Sequence, residues 1–148
     1  RNPLFRALRV DKLTLAALEA TIACYAAGRG ATEIPAQVAL RLTYAEINRR
    51  ARRFKQRAAQ QIAPAMLTLL DGFSVVGGGA APEGKLPTTL MQVEIDGLTA
   101  VELEQRLREC TPPVISRILD DRLVLDLRTV TEAEEGDVLH ALKTCSKV

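Results

Sequence analysis

Apolar positions in residues 11–27 (DKLTLAALEATIACYAA) recur at helical spacing on two sides. Leu15, Leu18, Ile22 and Tyr25 form one stripe; Leu13, Ala17, Ala20 and Cys24 form a second of mostly small residues. Asp11 supplies an N-cap and Gly28 a stop, so the pattern predicts a helix over 11–27. Only Lys12 and Glu19 carry charge on it. A helix apolar nearly all round is normally buried between layers, so both sides need a cover, from a missing segment or another subunit. Residues 28–40 read as a loop with one helical turn after Pro35. Thr43-x-x-Glu46 is a capping box that opens a second helix to about Ala63, closed by Pro64. Ile47, Ala51, Phe54, Ala58 and Ile62 line one of its faces, and Arg49, Arg50, Arg52, Arg53, Lys55 and Arg57 spread over the rest.

The second half changes texture. MLTLL (66–70) and FSVVG (73–77) read as two short strands around Asp71-Gly72, followed by a Gly-rich loop over 77–87. LMQVEID (90–96) alternates as a half-buried strand. Thr99-x-x-Glu102 opens a third helix with Val101, Leu103 and Leu107 inward, broken by Pro112-Pro113. VISRIL (114–119), a turn at Asp120-Asp121-Arg122 and LVLDLR (123–128) predict a hairpin. Thr131-x-x-Glu134 opens a last helix carrying Val138, Leu139 and Leu142. Helices first, then strand, strand, helix, hairpin and helix predict an α+β fold: an antiparallel sheet with helices packed on one face.

Composition narrows the class. The 148 residues are 47% hydrophobic and 26% charged, ample for a core and too apolar for a disordered tail. No apolar run is long enough to span a bilayer, and no export signal is visible, so no membrane association is expected. Aromatics make up 3% with no Trp, which argues against a base-stacking platform. Three cysteines, Cys24, Cys110 and Cys145, are too few and too scattered for a disulfide framework or a zinc site, and suit a reducing cytoplasm. The chain begins with Arg rather than Met and reads as a piece of something longer. Charge is uneven: residues 1–65 hold 12 Lys/Arg against 4 Asp/Glu, and residues 66–148 hold 8 against 14. Either an anionic partner lies near the front, or the two halves neutralise each other across an internal interface.

Candidate chemistry is sparse. The only histidine, His140, sits in the last helix between Leu139 and Ala141 and reads as a surface or satisfied helical residue, so a Ser–His–Asp set is not supported. Metal-ligand spacing is absent. The acids at 120, 121 and 126 read as a solvated turn and an outward strand position. Gly77-Gly78-Gly79 lacks the phosphate-loop pattern, although three glycines permit a close backbone approach. Within residues 41–57 seven Lys/Arg face one Glu, a cluster able to neutralise phosphates or simply a solvated helix face. Arg6 and Arg9 are three apart; on a helix both guanidiniums emerge on one side and can clamp an anion, or serve as ordinary surface arginines.

Three segments, NPLFRALRVDKLTLAALEAT (2–21), VVGGGAAPEGKLPTT (75–89) and PPVISRILDDRLVLDLRTV (112–130), together resemble the C-terminal portion of bacterial selenocysteine synthase, the L-seryl-tRNA(Sec) selenium transferase family. The resemblance runs over essentially the whole chain and is most specific in RALRVDK and the AALEAT that follows. It implies the C-terminal small domain of a fold-type-I, aspartate-aminotransferase-like pyridoxal 5'-phosphate enzyme. Residues 1–27 would be an interdomain segment and connecting helix, and 28–148 the small α+β domain, with the catalytic large domain absent from this chain. The family converts seryl-tRNA(Sec) to selenocysteinyl-tRNA(Sec) with selenophosphate, in the cytoplasm, as a homodecameric ring of dimers.

By the resemblance, Arg6 and Arg9 align with paired arginines that hold the selenium donor's anionic group. Arg128 resembles the arginine that grips the substrate carboxyl in enzymes of this fold type, a group that is esterified to tRNA here. The Schiff-base lysine is expected upstream, since none of Lys12, Lys55, Lys85, Lys143 or Lys147 occupies its place. No catalytic, cofactor-binding or metal residue is therefore expected in the chain, and the fragment alone is expected to be inactive. Two other readings stay open: a paralogous pyridoxal-phosphate lyase acting on a free amino acid, and a stand-alone basic RNA-binding module.

Overall fold

The computed structural model describes residues 4, 8–63, 66–76 and 84–147, which divide into two compact units, Arg1–Arg41 and Leu42–Val148. Residues 28–41, grouped by sequence with the α+β domain, thus belong to the first unit. In that unit α1 (Lys12–Ala26) starts where the Asp11 carboxylate accepts the backbone N–H groups of Leu13 and Thr14 at 2.8 and 3.0 Å. Those bonds, with the Thr14 hydroxyl, hold the Asp11 carboxyl below its usual range. Gly28, at φ +69°, turns the chain out of the helix as a left-handed C-terminal glycine does. The expected loop is instead two short helices, α2 (Gly30–Glu33) and α3 (Pro35–Arg41). A Cβ on Gly30 would lie 3.0 Å from the Tyr25 ring, so the glycine lets α2 close against α1. No residue of α1 is buried, and Leu13 is 84% exposed.

In the second unit, α4 (Tyr44–Ala58) opens on the predicted capping box. The Glu46 carboxylate accepts the Thr43 N–H at 2.7 Å, and the Thr43 hydroxyl accepts the Glu46 N–H at 3.3 Å. The same reciprocal pair, Thr99 and Glu102, opens α5 (Ala100–Glu109). Thr131 and Glu134 form it once more, one turn ahead of α6 (Glu135–Cys145). Between the helices run β1 (Leu67–Val75), β2 (Lys85–Val93), β3 (Arg117–Leu119) and β4 (Arg122–Asp126), and a 3-10 turn, Leu127–Thr129, follows β4. The sheet is antiparallel in the order β1-β2-β4-β3.

Two sequence expectations need correction. β1 is one strand through Asp71-Gly72, in unbroken register with β2 from Leu67↔Val93 to Val75↔Lys85. Gly72 does not turn; it leaves room for Leu90, whose Cδ1 would lie 2.6 Å from a Cβ placed there. Strand β3 is also shorter than the apolar run 114–119, because only three residues find partners on β4.

Alternation along the strands divides the sheet. Leu67, Met91, Val93, Leu123 and Leu125 share the face that meets the helices, and they close the core with Phe54, Leu103, Leu107, Leu139 and Leu142. Val101, expected inward, is 64% exposed, because it falls on the outer side of α5. All three long helices of this unit lie on that one face, as an α+β layout requires.

Two predictions arise from this packing. Asp120 and Asp121 both take positive φ (49° and 59°) in the two-residue β3–β4 turn, a conformation that a Cβ opposes. Asp121→Gly is therefore expected to raise stability by up to about 1 kcal/mol in urea melts; a fall would contradict this account of the turn. At the end of α6, burial in the core and the neighbouring Cys110 push the Cys145 thiol up to about 11 from 9.0. Because the folded value is the higher one, this contribution to stability is fully present below about pH 9 and is lost as pH rises toward 11. Iodoacetamide at pH 8 should accordingly label Cys24 well before Cys145, as read by peptide mass mapping.

Candidate functional site

Of the arginines singled out from sequence, Arg9 and Arg128 are among the described residues. Arg6 lies outside the described residues, as do Gly77, Gly78 and Gly79. Arg9 is exposed, two residues ahead of the Asp11 cap in the first unit. Arg128 belongs to the second unit and is 5% exposed.

Its position follows from the end of β4. The Asp126 carboxylate accepts the Arg128 backbone N–H at 3.0 Å and so tightens the 3-10 turn that swings the side chain back toward β1 and β2. There Nε donates to Ser74 Oγ at 2.8 Å, while the two terminal nitrogens donate to the Leu42 carbonyl at 2.6 Å and the Pro87 carbonyl at 2.7 Å. Ser74 in turn donates its hydroxyl to Asp126 at 2.5 Å, and Thr88 donates to the other carboxylate oxygen at 3.0 Å. Arg117 adds a second cation, 3.7 Å from Asp126. A guanidinium out of water is tolerable when its N–H groups are this fully engaged. The sequence pattern makes Asp126 an outward, solvated strand residue; its side chain is in fact 8% exposed and organises the cluster. A groove of about 240 Å³ opens beside it, bordered by Ser74, Ser116, Arg117 and Thr129. Ser116 Oγ in its wall is buried without a hydrogen-bond partner.

A second cluster has no counterpart among the sequence expectations. Arg50, placed by the pattern among the outward arginines of α4, is buried and donates twice to Glu135 Oε1, at 3.1 and 2.9 Å. It also donates to the carbonyls of Leu127 and Val130, at 3.2 and 2.8 Å. Arg57 closes on the other Glu135 oxygen. Helical spacing contains the signal: Arg50 stands three residues after Ile47 and four before Phe54, on the buried face. Its partner, 85 residues away, carries none.

The remaining candidates behave as surface. His140 is exposed, Asp120 and Asp121 form the turn, and Arg122 is exposed beside them. Among the described residues no group of His, Cys, Asp and Glu is placed to hold a metal ion, and no helix is long and apolar enough to cross a membrane. A covalently held aldehyde cofactor needs a lysine desolvated in a pocket. Lys12, Lys85 and Lys147 are exposed, and Lys55 and Lys143 are half-buried. These lysines do not fit that requirement.

The second unit is thus a small antiparallel α+β domain with two buried arginine–carboxylate clusters and further exposed arginines. The comparisons make the assignment narrower: the family model for L-seryl-tRNA selenium transferase (SelA) matches residues 1–131, and the chain belongs to that family. It is 44% identical over 145 residues to the L-seryl-tRNA(Sec) selenium transferase of Geobacter sulfurreducens, covering 97% of this chain and 31% of that protein. The Geobacter metallireducens protein of that name is 46% identical over 146 residues, and a Clostridium botulinum one 35% identical over 148. Each of these alignments also covers about a third (32%) of the relative's length.

The buried cluster yields a stability prediction. Glu135→Gln removes the charge shared by Arg50 and Arg57 and should cost roughly 3–5 kcal/mol in urea unfolding. Glu132→Gln, which loosens only an exposed pair at 3.7 Å, should cost no more than about 1 kcal/mol. Equal effects would show that Glu135 does not organise the fold.

Proposed function

We propose that this chain is the C-terminal part of a pyridoxal-phosphate-dependent selenium transferase that converts seryl-tRNA(Sec) to selenocysteinyl-tRNA(Sec) with selenophosphate. The observation that carries the reading is an alignment over 97% of the chain, at 44% identity, with a protein named for that activity. In this reading the domain is the small domain of a fold-type-I enzyme, working in the cytoplasm within a homo-oligomeric ring of dimers. The cofactor's lysine comes from outside this chain, so the residues of this domain act on the substrates and not on the cofactor.

The chain's own part is electrostatic. Arg6 and Arg9 hold the anionic group of the selenium donor, two guanidiniums whose fork geometry suits an oxyanion. Their attraction grows where water is excluded, so they act by position and not by proton transfer. Arg128 reaches a substrate oxygen only by exchanging it for the Leu42 or Pro87 carbonyl that its guanidinium now holds. Until then it fixes the ends of β1 and β2 and the entry to α4.

Radiolabelled selenium transfer by the full-length protein tests the reading. Turnover of seryl-tRNA(Sec) with selenophosphate is expected, and Arg6→Ala and Arg9→Ala should each lower it by roughly 100-fold with tRNA affinity kept. Wild-type rates in both variants would remove the anion-holding role. Turnover of a free amino acid without tRNA would remove the proposed substrate.

A further inference from the structure

The arginines of α4 divide into two populations. Arg50 is spent inside the fold on Glu135 and two carbonyls. Arg49, Arg52 and Arg53 are exposed and far less neutralised. Arg52 donates to the neutral Asn48 Oδ1 at 2.8 Å. Arg53, with its side chain 59% exposed, has only a 3.7 Å approach to an equally solvated Glu132. Arg49 lies near Glu46, a carboxylate already taken by the Thr43 cap.

Geometry turns these charges into a track. Arg49, Arg53 and Arg57 follow one another at i, i+4 and i+8, so they share a side of the helix over about 12 Å of rise. Arg57 closes the row as its paired member, held by Glu135, with its guanidinium 5.8 Å from the Phe54 ring centroid and its side chain 52% exposed. Beyond it a groove of about 490 Å³ is lined by Gln60, Gln61, Leu139, His140 and Lys143, with Glu135, already ion-paired to Arg50 and Arg57, in its wall. Fixed guanidiniums followed by neutral amides suit a phosphodiester backbone and its sugar hydroxyls. The only aromatic on the exposed part of this helix, Tyr44, is tied to Asp71 at 2.6 Å, so no ring is offered for stacking on bases.

We propose that this outer face of α4, with the groove at its end, binds the sugar–phosphate backbone of a double-helical RNA arm without reading its sequence. The proposal rests on the functional reading above, which supplies an RNA substrate, and adds to it a contact surface on this domain. An RNA duplex fits better than an acidic protein because the face presents Arg49, Arg52 and Arg53 with no ion pair shorter than 3.7 Å among the described residues, and has no apolar centre of the kind protein interfaces bury.

The test uses the full-length protein and fluorescence-anisotropy titrations of a labelled seryl-tRNA(Sec) transcript at several KCl concentrations. Arg49→Gln, Arg52→Gln and Arg53→Gln combined should weaken binding roughly tenfold at 0.1 M salt and make the slope of log affinity against log salt shallower by about 2 to 3. An unrelated RNA duplex should show the same deficit. Arg108→Gln with Arg122→Gln, two exposed arginines elsewhere in the unit, should leave the slope unchanged. The inference is overturned by an unchanged slope in the triple variant, or by an equal change in the control pair. It is equally overturned if the triple variant alters subunit assembly in sedimentation while RNA affinity holds, since the face would then meet protein. A wild-type protein that neither binds tRNA nor transfers selenium overturns the functional reading itself, and this proposal with it; selenium transfer with an unchanged slope overturns this proposal alone.

Discussion

The second unit depends on a single buried carboxylate. Glu135 opens α6, accepts two bonds from Arg50 and one contact from Arg57, and so ties the last helix to α4 through the core. Arg50 uses its remaining N–H groups on the carbonyls of Leu127 and Val130, at the two edges of the 3-10 turn. From within that turn Arg128 points the other way and binds the carbonyl of Leu42, just ahead of α4. Helix and turn thus hold each other by one arginine apiece. Each cation is costly out of water, and each is sustained by acceptors from several elements: Glu135 and the turn carbonyls for Arg50, and Ser74, Pro87 and Leu42 for Arg128. Loss of one partner strands the rest, which makes the arrangement rigid and specific more than it makes it strong.

This reciprocal lock also resolves the uneven charge of the sequence. Internal neutralisation accounts for part of that imbalance, on one side of one helix. Arg50 and Arg57 from the basic front half meet Glu135 from the acidic back half, so part of the excess is cancelled internally. Arg49 and Arg52 turn away from that acid and keep their charge. Net charge alone does not separate the two groups, whereas the buried stripe set by Ile47, Ala51, Phe54 and Ala58 does.

Local signals in the sequence are legible because they are closed within a few residues. The Asp11 cap, the Thr-x-x-Glu boxes at 43, 99 and 131, and the Asp120-Asp121 turn each satisfy their own backbone. The errors arise where distant residues override a local preference. Asp71-Gly72 has turn chemistry, yet Tyr44 takes the Asp71 carboxylate and Leu90 fills the space over Gly72, so the strand runs on. Pro87 sits within β2 because β4 pairs only as far as Leu90↔Asp126, which leaves that stretch at the sheet edge on one side. Asp126 looks solvated in the sequence because its partners Ser74 and Thr88 lie 52 and 38 residues away. For the candidate site, residue types are legible but engagement is not: nothing in LDLRT shows that Arg128 is already held by three acceptors.

Under the proposed function, that engagement bears on how the domain would serve an anionic substrate. An exposed guanidinium attracts a polyanion at long range, and salt screens the attraction over about 8–10 Å. A buried one contributes little at that distance, but it presents fixed geometry in a medium where charge counts for more. A reaction on a tRNA-linked amino acid needs both, attraction for the large ligand and placement for the small reacting group. Here α4 carries the first kind on its outer side, and its N-terminal entry is anchored by the second through Leu42 and Arg128. A displacement of α4 under a bound backbone would therefore pull on the carbonyl that holds Arg128. Under the proposed reading, this helix joins ligand contact mechanically to guanidinium placement.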